Sequence, residues 1–229
     1  MEFNIIPLFP SSVVMVNVEE DTSELDEARD IPLASSANDP SAGSSGNIGD
    51  PYYWGTGSNV RVLERYPKTK RILLDKFASV AEEALGFKKR EWAITTSWLT
   101  TSHRGEGSSL HCHKNAFWSC VYYYEQEYPE GSGGILFDNP NTVAMDFYFQ
   151  NSDLKHINPT NSLACTFRPE PNLMLCFPSY LQHQVLTHNN DKPRKSLAFN
   201  VVPVGPYGEH DSSYDPSWVV PYAGSWKSK

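Results

Sequence analysis

Two histidines separated by one residue, His111 and His113, are the first groups in this sequence whose spacing could do chemistry. They lie just before the strand-like run Phe117 to Tyr124, and in extended backbone residues i and i+2 project to the same face. Both imidazoles can then converge on one metal ion, while Cys112 between them points away and is read as packing. A third imidazole, His183, follows LMLCFPSYLQ and precedes Val185, at the start of a late strand. Placed beside the first pair, it would let three nitrogens cap one face of an octahedron and leave the opposite positions open for a cosubstrate and dioxygen. An open face implies catalysis rather than a structural metal.

Eleven residues beyond His183, Arg194-Lys195-Ser196 opens the run SLAFNVV. Arg194 and Ser196 share a face, so a guanidinium and a hydroxyl would grip one carboxylate, with the bidentate geometry that arginine favours. Each fragment alone has a plain alternative: an incidental histidine pair, a lone surface histidine, a solvated strand edge. Their order, H-x-H then His then R-x-S, all on strand-like text, favours the joint reading. Two other ligands compete. Asn115 would give H-x-N, with an amide oxygen that binds iron poorly, and Asp138 in LFDNP reads more naturally as a turn residue before Pro140. His103, His156, His188 and His210 sit in polar loop text and are read as surface residues. Trp98, Phe117, Trp118, Tyr122 and Tyr124 are read as core or pocket wall.

The elements that must position these groups are mostly strands. After Lys89 come eight short β-branched and aromatic runs separated by Gly, Pro and Asn: WAITTSWLTT, FWSCVYYYEQ, GGILFDN, AMDFYFQ, ACTFRPE, LMLCFPS, HQVLTH and KSLAFNVVPV. That texture predicts a sandwich, barrel or jelly roll. Asn4 to Val18 suits a strand, a turn and a second strand joining the main sheet. Lys68 to Phe87 is the one strong helix, with Ile72, Leu73, Phe77, Val80, Ala81, Ala84 and Leu85 at spacings of three and four and Gly86 as its stop. It is expected to pack on the outside of a sheet. Glu19 to Asp50, rich in Asp, Glu, Ser, Ala, Gly and Pro, reads as a polar surface loop. That loop and Thr101 to Leu110 are candidates for covering the site. The tail from Gly205 onward is polar, aromatic and turn-rich.

Bulk properties narrow the class. At 229 residues the chain suits one well-buried domain, 1–229. A formal charge of -8, with scattered Lys and Arg, disfavours nucleic acid as a partner. The four cysteines, Cys112, Cys120, Cys165 and Cys176, form no C-x-x-C pair and are expected to be reduced thiols in a cytoplasm. No apolar stretch approaches the roughly 20 residues of a membrane span, and the N-terminus has no signal-peptide pattern.

With those residues laid out, the chain resembles the 2-oxoglutarate- and iron(II)-dependent dioxygenase superfamily. It is most similar to an oxygenase family of marine bacteria and cyanobacterial phages (cyanophages). The blocks that carry the likeness are SWLTTSHRGEGSSLHCHKNAFWSCVYYY, GGILFDNP, CFPSYLQHQV and RKSLAFNVVPVGPYG. The resemblance implies a double-stranded β-helix, or jelly roll, with iron on His111, His113 and His183. It also implies 2-oxoglutarate chelating the iron, with its far carboxylate on Arg194 beside Ser196. Likeness to prolyl hydroxylases adds the Tyr123 hydroxyl to that carboxylate and makes peptidyl proline a candidate substrate, with hydroxylation of an unactivated C-H bond as the reaction. The sequence departs from the common H-x-D or H-x-E pattern, since His113 stands where the carboxylate would be. A neutral imidazole there leaves the site one unit more positive and favours anionic cosubstrates. Two rival readings stay open: a three-histidine dioxygenase that uses no 2-oxoglutarate, and a non-catalytic β-sandwich binding module of a phage. A homodimer through an edge strand is a further expectation.

Overall fold

A computed structural model describes residues 11–30, 61–141, 154–158 and 161–215 of the chain. Eight strands dominate them: β1 (Val14–Asn17), β2 (Trp92–Ser102), β3 (Trp118–Tyr122), β4 (Ile135–Asp138), β5 (Ala164–Phe167), β6 (Leu173–Pro178), β7 (His183–Val185) and β8 (Arg194–Pro203). They form a five-stranded sheet in the order β1-β6-β3-β8-β2 and a three-stranded sheet in the order β5-β4-β7. Every strand pairing is antiparallel. The architecture is the mainly β double-stranded β-helix that the sequence implies, built as two facing sheets rather than a closed barrel.

Period-two alternation gives the larger sheet two different faces. On one, Trp118, Cys120, Tyr122, Met174, Cys176, Leu197, Phe199 and Val201 are buried in a core shared with the helical segment. On the other, Val121, Leu173, Leu175 and Phe177 of the strands, with Tyr123 just beyond β3, join Ile135 and Phe137 of the smaller sheet in a second core.

The helical layer follows the apolar spacing in the sequence. Asp26–Asp30 forms a short helix, α1, and Pro67–Ser79 forms α2, continued by a wider turn over Val80–Ala84. Pro67 suits the first turn, where its missing N–H costs nothing. Leu73, Phe77, Val80 and Ala81 are buried, and the Phe77 ring meets Trp92 edge-on at 5.2 Å. Gly86, at φ 73°, supplies the left-handed residue that ends the segment. Ala84 is exposed, so the predicted apolar face is shorter than its spacing suggested.

One further expectation needs correcting. The segment after Glu19 is not purely a polar loop, since Leu25 and Ala28 are fully buried in the helix-side core and a 3-10 turn, Ser23–Leu25, leads into α1. Two apolar side chains three residues apart suffice to dock it. Of the other expected elements, Asn4 to Pro10, residues 31–50, AMDFYFQ and the tail beyond Asp215 lie outside the described residues. No helix among the described residues is long and apolar enough to cross a membrane. All four cysteines are free.

Candidate metal centre

Backbone pairing between segments distant in the sequence brings the three histidines together. The N–H of His111 donates to the carbonyl of His183 at 2.9 Å and the N–H of His183 donates back at 2.8 Å, an isolated antiparallel bridge that sets the two residues face to face. The N–H of His113 donates to the Ser179 carbonyl at 2.8 Å, anchoring the second histidine to the turn between β6 and β7. Ring centroids are 4.4 Å apart for His111 and His183, 5.2 Å for His113 and His183, and 5.4 Å for His111 and His113. One potential ligand atom from each lies within 4.8 Å of the other two. Among the His, Cys, Asp and Glu side chains of the described residues this is the group able to hold a metal, and Asp138 is not part of it.

Hydrogen bonds orient all three rings. Nδ1 of His111 lies 2.8 Å from the Ser109 carbonyl, and Nδ1 of His183 lies 2.8 Å from the Leu181 carbonyl. A carbonyl only accepts, so each Nδ1 carries a proton, which in the neutral ring leaves the lone pair on Nε2. Nδ1 of His113 lies 2.8 Å from Oδ1 of Asn200 on β8. Burial lowers the pKa of His113, opposed by the Asn200 hydrogen bond, and burial drives that of His183 down to about 3. Neutral imidazoles are the form that binds metal. Phe177 and Phe137 flank His183, and Trp98 lies 5.4 Å from His113 as pocket wall.

Arg194 is 2% exposed at the start of β8. One terminal nitrogen, Nη2, faces the Tyr123 hydroxyl at 3.3 Å, the other faces Ser196 Oγ at 3.4 Å, and the guanidinium carbon sits 5.2 Å from the centre of the Tyr123 ring. Its Nε has no partner among the described residues, and no carboxylate among them pairs with it. A buried cation without a counter-charge is costly, by several kcal/mol in general, unless something anionic comes to it. The expected trio of Arg194, Ser196 and Tyr123 is therefore assembled, with unused donor capacity.

Sequence reading placed His188 on the surface, and this is wrong. It is fully buried, with Nε2 2.8 Å from the Lys192 carbonyl and Nδ1 accepting from the Gly133 N–H at 3.3 Å. It braces the loop after β7, where Gly133 runs so close that an added Cβ would lie 2.2 Å from the Leu186 carbonyl oxygen. His156 and His210 are exposed. The stretch after β2 is pinned rather than loose, since Gly105 donates to His188 and Ser108 to Val185 through backbone bonds. Asn200, Ser119, Ser179 and Thr96, which surround the Nδ1 side of His113, were missed. The available signal was the polar Asn200, in step with Arg194 and Ser196, inside an otherwise apolar strand.

Residues 96–200 match the family described as "Putative 2OG-Fe(II) oxygenase". No curated protein matches the chain. Among solved structures, an oxidoreductase of the 2OG-Fe(II) oxygenase family from Burkholderia pseudomallei aligns at 13% identity and a TM-score of 0.43, over 59% of this chain and 55% of its own. The chain thus spans little more than half of that protein. The non-haem α-ketoglutarate-dependent epimerase SnoN of nogalamycin biosynthesis aligns at 12% identity and a TM-score of 0.54, over 87% of this chain and 79% of that one. A Pseudomonas putida prolyl-4-hydroxylase aligns at 13% identity and a TM-score of 0.45, over 83% and 92%. At such identities the likeness is one of fold, and the superposition on SnoN carries it.

Proposed function

We propose, for a chain whose residues 96–200 match the 2OG-Fe(II) oxygenase family, that His111, His113 and His183 bind ferrous iron and that Arg194 binds the far carboxylate of 2-oxoglutarate. The donor chemistry fits both groups. Three neutral imidazoles with Nδ1 engaged elsewhere suit a divalent first-row metal and leave its other positions open. A buried guanidinium lacking a carboxylate suits a carboxylate ligand, with Tyr123 and Ser196 beside it as hydroxyl partners.

The observation that carries this reading is the pairing of the converging imidazoles with a buried Arg194 that no carboxylate among the described residues meets. Iron and 2-oxoglutarate together supply oxidation of an unactivated C-H bond by dioxygen, with succinate and carbon dioxide as coproducts. The chain holds the rings in their metal-binding tautomer, neutralises the cosubstrate's distal charge and walls the site with Trp98, Phe137 and Phe177. Hydroxylation is the proposed outcome, with peptidyl proline the first substrate to try.

Succinate formation tests this directly. Anaerobically iron-loaded protein, given 2-oxoglutarate and then oxygen, is expected to release succinate even without substrate, slowly, and the His183→Ala variant is expected to release none. Iron binding without 2-oxoglutarate binding would instead favour a three-histidine dioxygenase whose substrate itself chelates the metal.

A further inference from the structure

Two of the three imidazoles orient themselves locally, and the third does not. His111 and His183 each donate Nδ1–H to the carbonyl of the residue two positions earlier, Ser109 and Leu181. Those acceptors come with the chain segment and need no other element. His113 depends on a side chain 87 residues away, the Asn200 carboxamide, which is 4% exposed. That amide is fixed on its other sides: Oδ1 also accepts from Ser119 Oγ at 2.8 Å, and Nδ2 donates to Thr96 Oγ1 at 2.8 Å. Ser119 Oγ is in turn 2.8 Å from Ser179 Oγ, and the Ser179 carbonyl accepts the His113 N–H.

We infer that Asn200 is the positioning residue that makes His113 a metal ligand, by setting its tautomer and its ring rotation through Nδ1–H···Oδ1. The inference rests on the reading of the histidine trio as a metal site. An amide turned the other way would present N–H to Nδ1, force the proton onto Nε2 and remove the ligand lone pair. Thr96 and Ser119 together hold the productive orientation. The site needs this device at His113, where among the described residues Nδ1 meets the Asn200 amide oxygen and not a carbonyl of its own segment. The arrangement also leaves every metal-facing group uncharged, since the partner oxygen is an amide rather than a carboxylate.

Long-range 1H–15N correlation on the metal-free protein, together with Co(II) titration followed by absorbance, tests the inference. In the native protein His113 is expected in the Nδ1–H form. Asn200→Leu is expected to shift it toward Nε2–H and to weaken Co(II) binding by on the order of 10- to 100-fold, the range for loss of an outer-sphere partner. Asn200→Asp keeps an acceptor in place and is expected to restore both the tautomer and the affinity, while the tautomer shift in Asn200→Leu, which fills the same space without an acceptor, is a signature that packing alone would not give. Thr96→Val, which leaves the amide free to turn, is expected to give a mixture of tautomers should Asn200→Leu not fold. A His113 tautomer and Co(II) affinity unchanged in Asn200→Leu, or in Thr96→Val if only that variant folds, would overturn the inference. Failure of the native protein to bind Co(II) at all would instead strike the metal-site reading, while the tautomer data would still decide what Asn200 does.

Discussion

The two faces of the five-stranded sheet use the same strands for opposite ends. On the helix side, Trp118, Tyr122, Met174, Leu197 and Phe199 meet α2 in a core without charge. On the facing side the alternate residues of β3 and β8 include Ser119, Ser196, Asn200 and the buried Arg194. Burying apolar surface on one face stabilises the fold by roughly 25 cal/mol per Å². The other face spends part of that gain, holding polar groups out of water in a geometry that a metal and an anion would complete. Along β8, stability and chemistry are thus separated by a single residue step, and substitutions on its adjacent residues should report on different properties.

The largest effect is expected on the site face. His183→Ala removes one of three donors from a buried position, and metal binding should fall beyond the roughly 100-fold that marks loss of an outer-sphere partner. Equilibrium dialysis against Co(II) or Fe(II) reads it, and succinate formation should vanish with it. One step along β8 from Asn200, Phe199→Ala should do the reverse. Emptying that fully buried ring's place should cost about 3–5 kcal/mol in denaturant unfolding. The folded fraction should keep native metal affinity. Metal loss from Phe199→Ala at full folding would break the separation of faces.

How far this division could be read in the sequence depends on the range of each contact. The β-branched and aromatic residues of CVYYY and SLAFNVV mark strands, and the i, i+2 rule places His111 with His113 and Arg194 with Ser196. His183 was legible because it stands at a strand start, where the backbone bridge to His111 forms. Asn200 was not, since its value comes from a ring 87 residues away and its local text looks like an ordinary buried strand. His188 misled for the same reason: Asn, Asp and Lys around it look solvated, yet glycines at 131 and 133 let the backbone close over the ring. Leu25 and Ala28 misled because two apolar residues are too few to show a period.

Arg194 gives the comparison its most distinctive test, because two measurements should move in opposite directions. Replacing it by Met removes a buried cation that no carboxylate among the described residues pairs with, so the protein without cosubstrate should be as stable as the parent or more so, by up to about 4 kcal/mol. Affinity for 2-oxoglutarate should fall by about 2–5 kcal/mol, the cost of truncating one side of a buried charge pair. Calorimetric titration of the iron-loaded form and denaturant unfolding of the free protein read the two values. A marked loss of stability with unchanged cosubstrate affinity would make Arg194 a structural residue and merge the two faces.

Ser196 should show the smallest effect, and its size follows from its geometry. Its hydroxyl stands 3.4 Å from Arg194 Nη1, at the long end of hydrogen bonding, so it contributes little to the free protein. When a carboxylate lies on the guanidinium, the same hydroxyl is free to rotate and donate a charge-assisted hydrogen bond, typically about 1.5–3 kcal/mol net. Ser196→Ala should therefore weaken 2-oxoglutarate binding by roughly 13- to 160-fold on that range. Unfolding free energy and Co(II) affinity should stay at the parent values. A loss as great as that of Arg194→Met would mean that the hydroxyl, rather than the guanidinium, bears the anion.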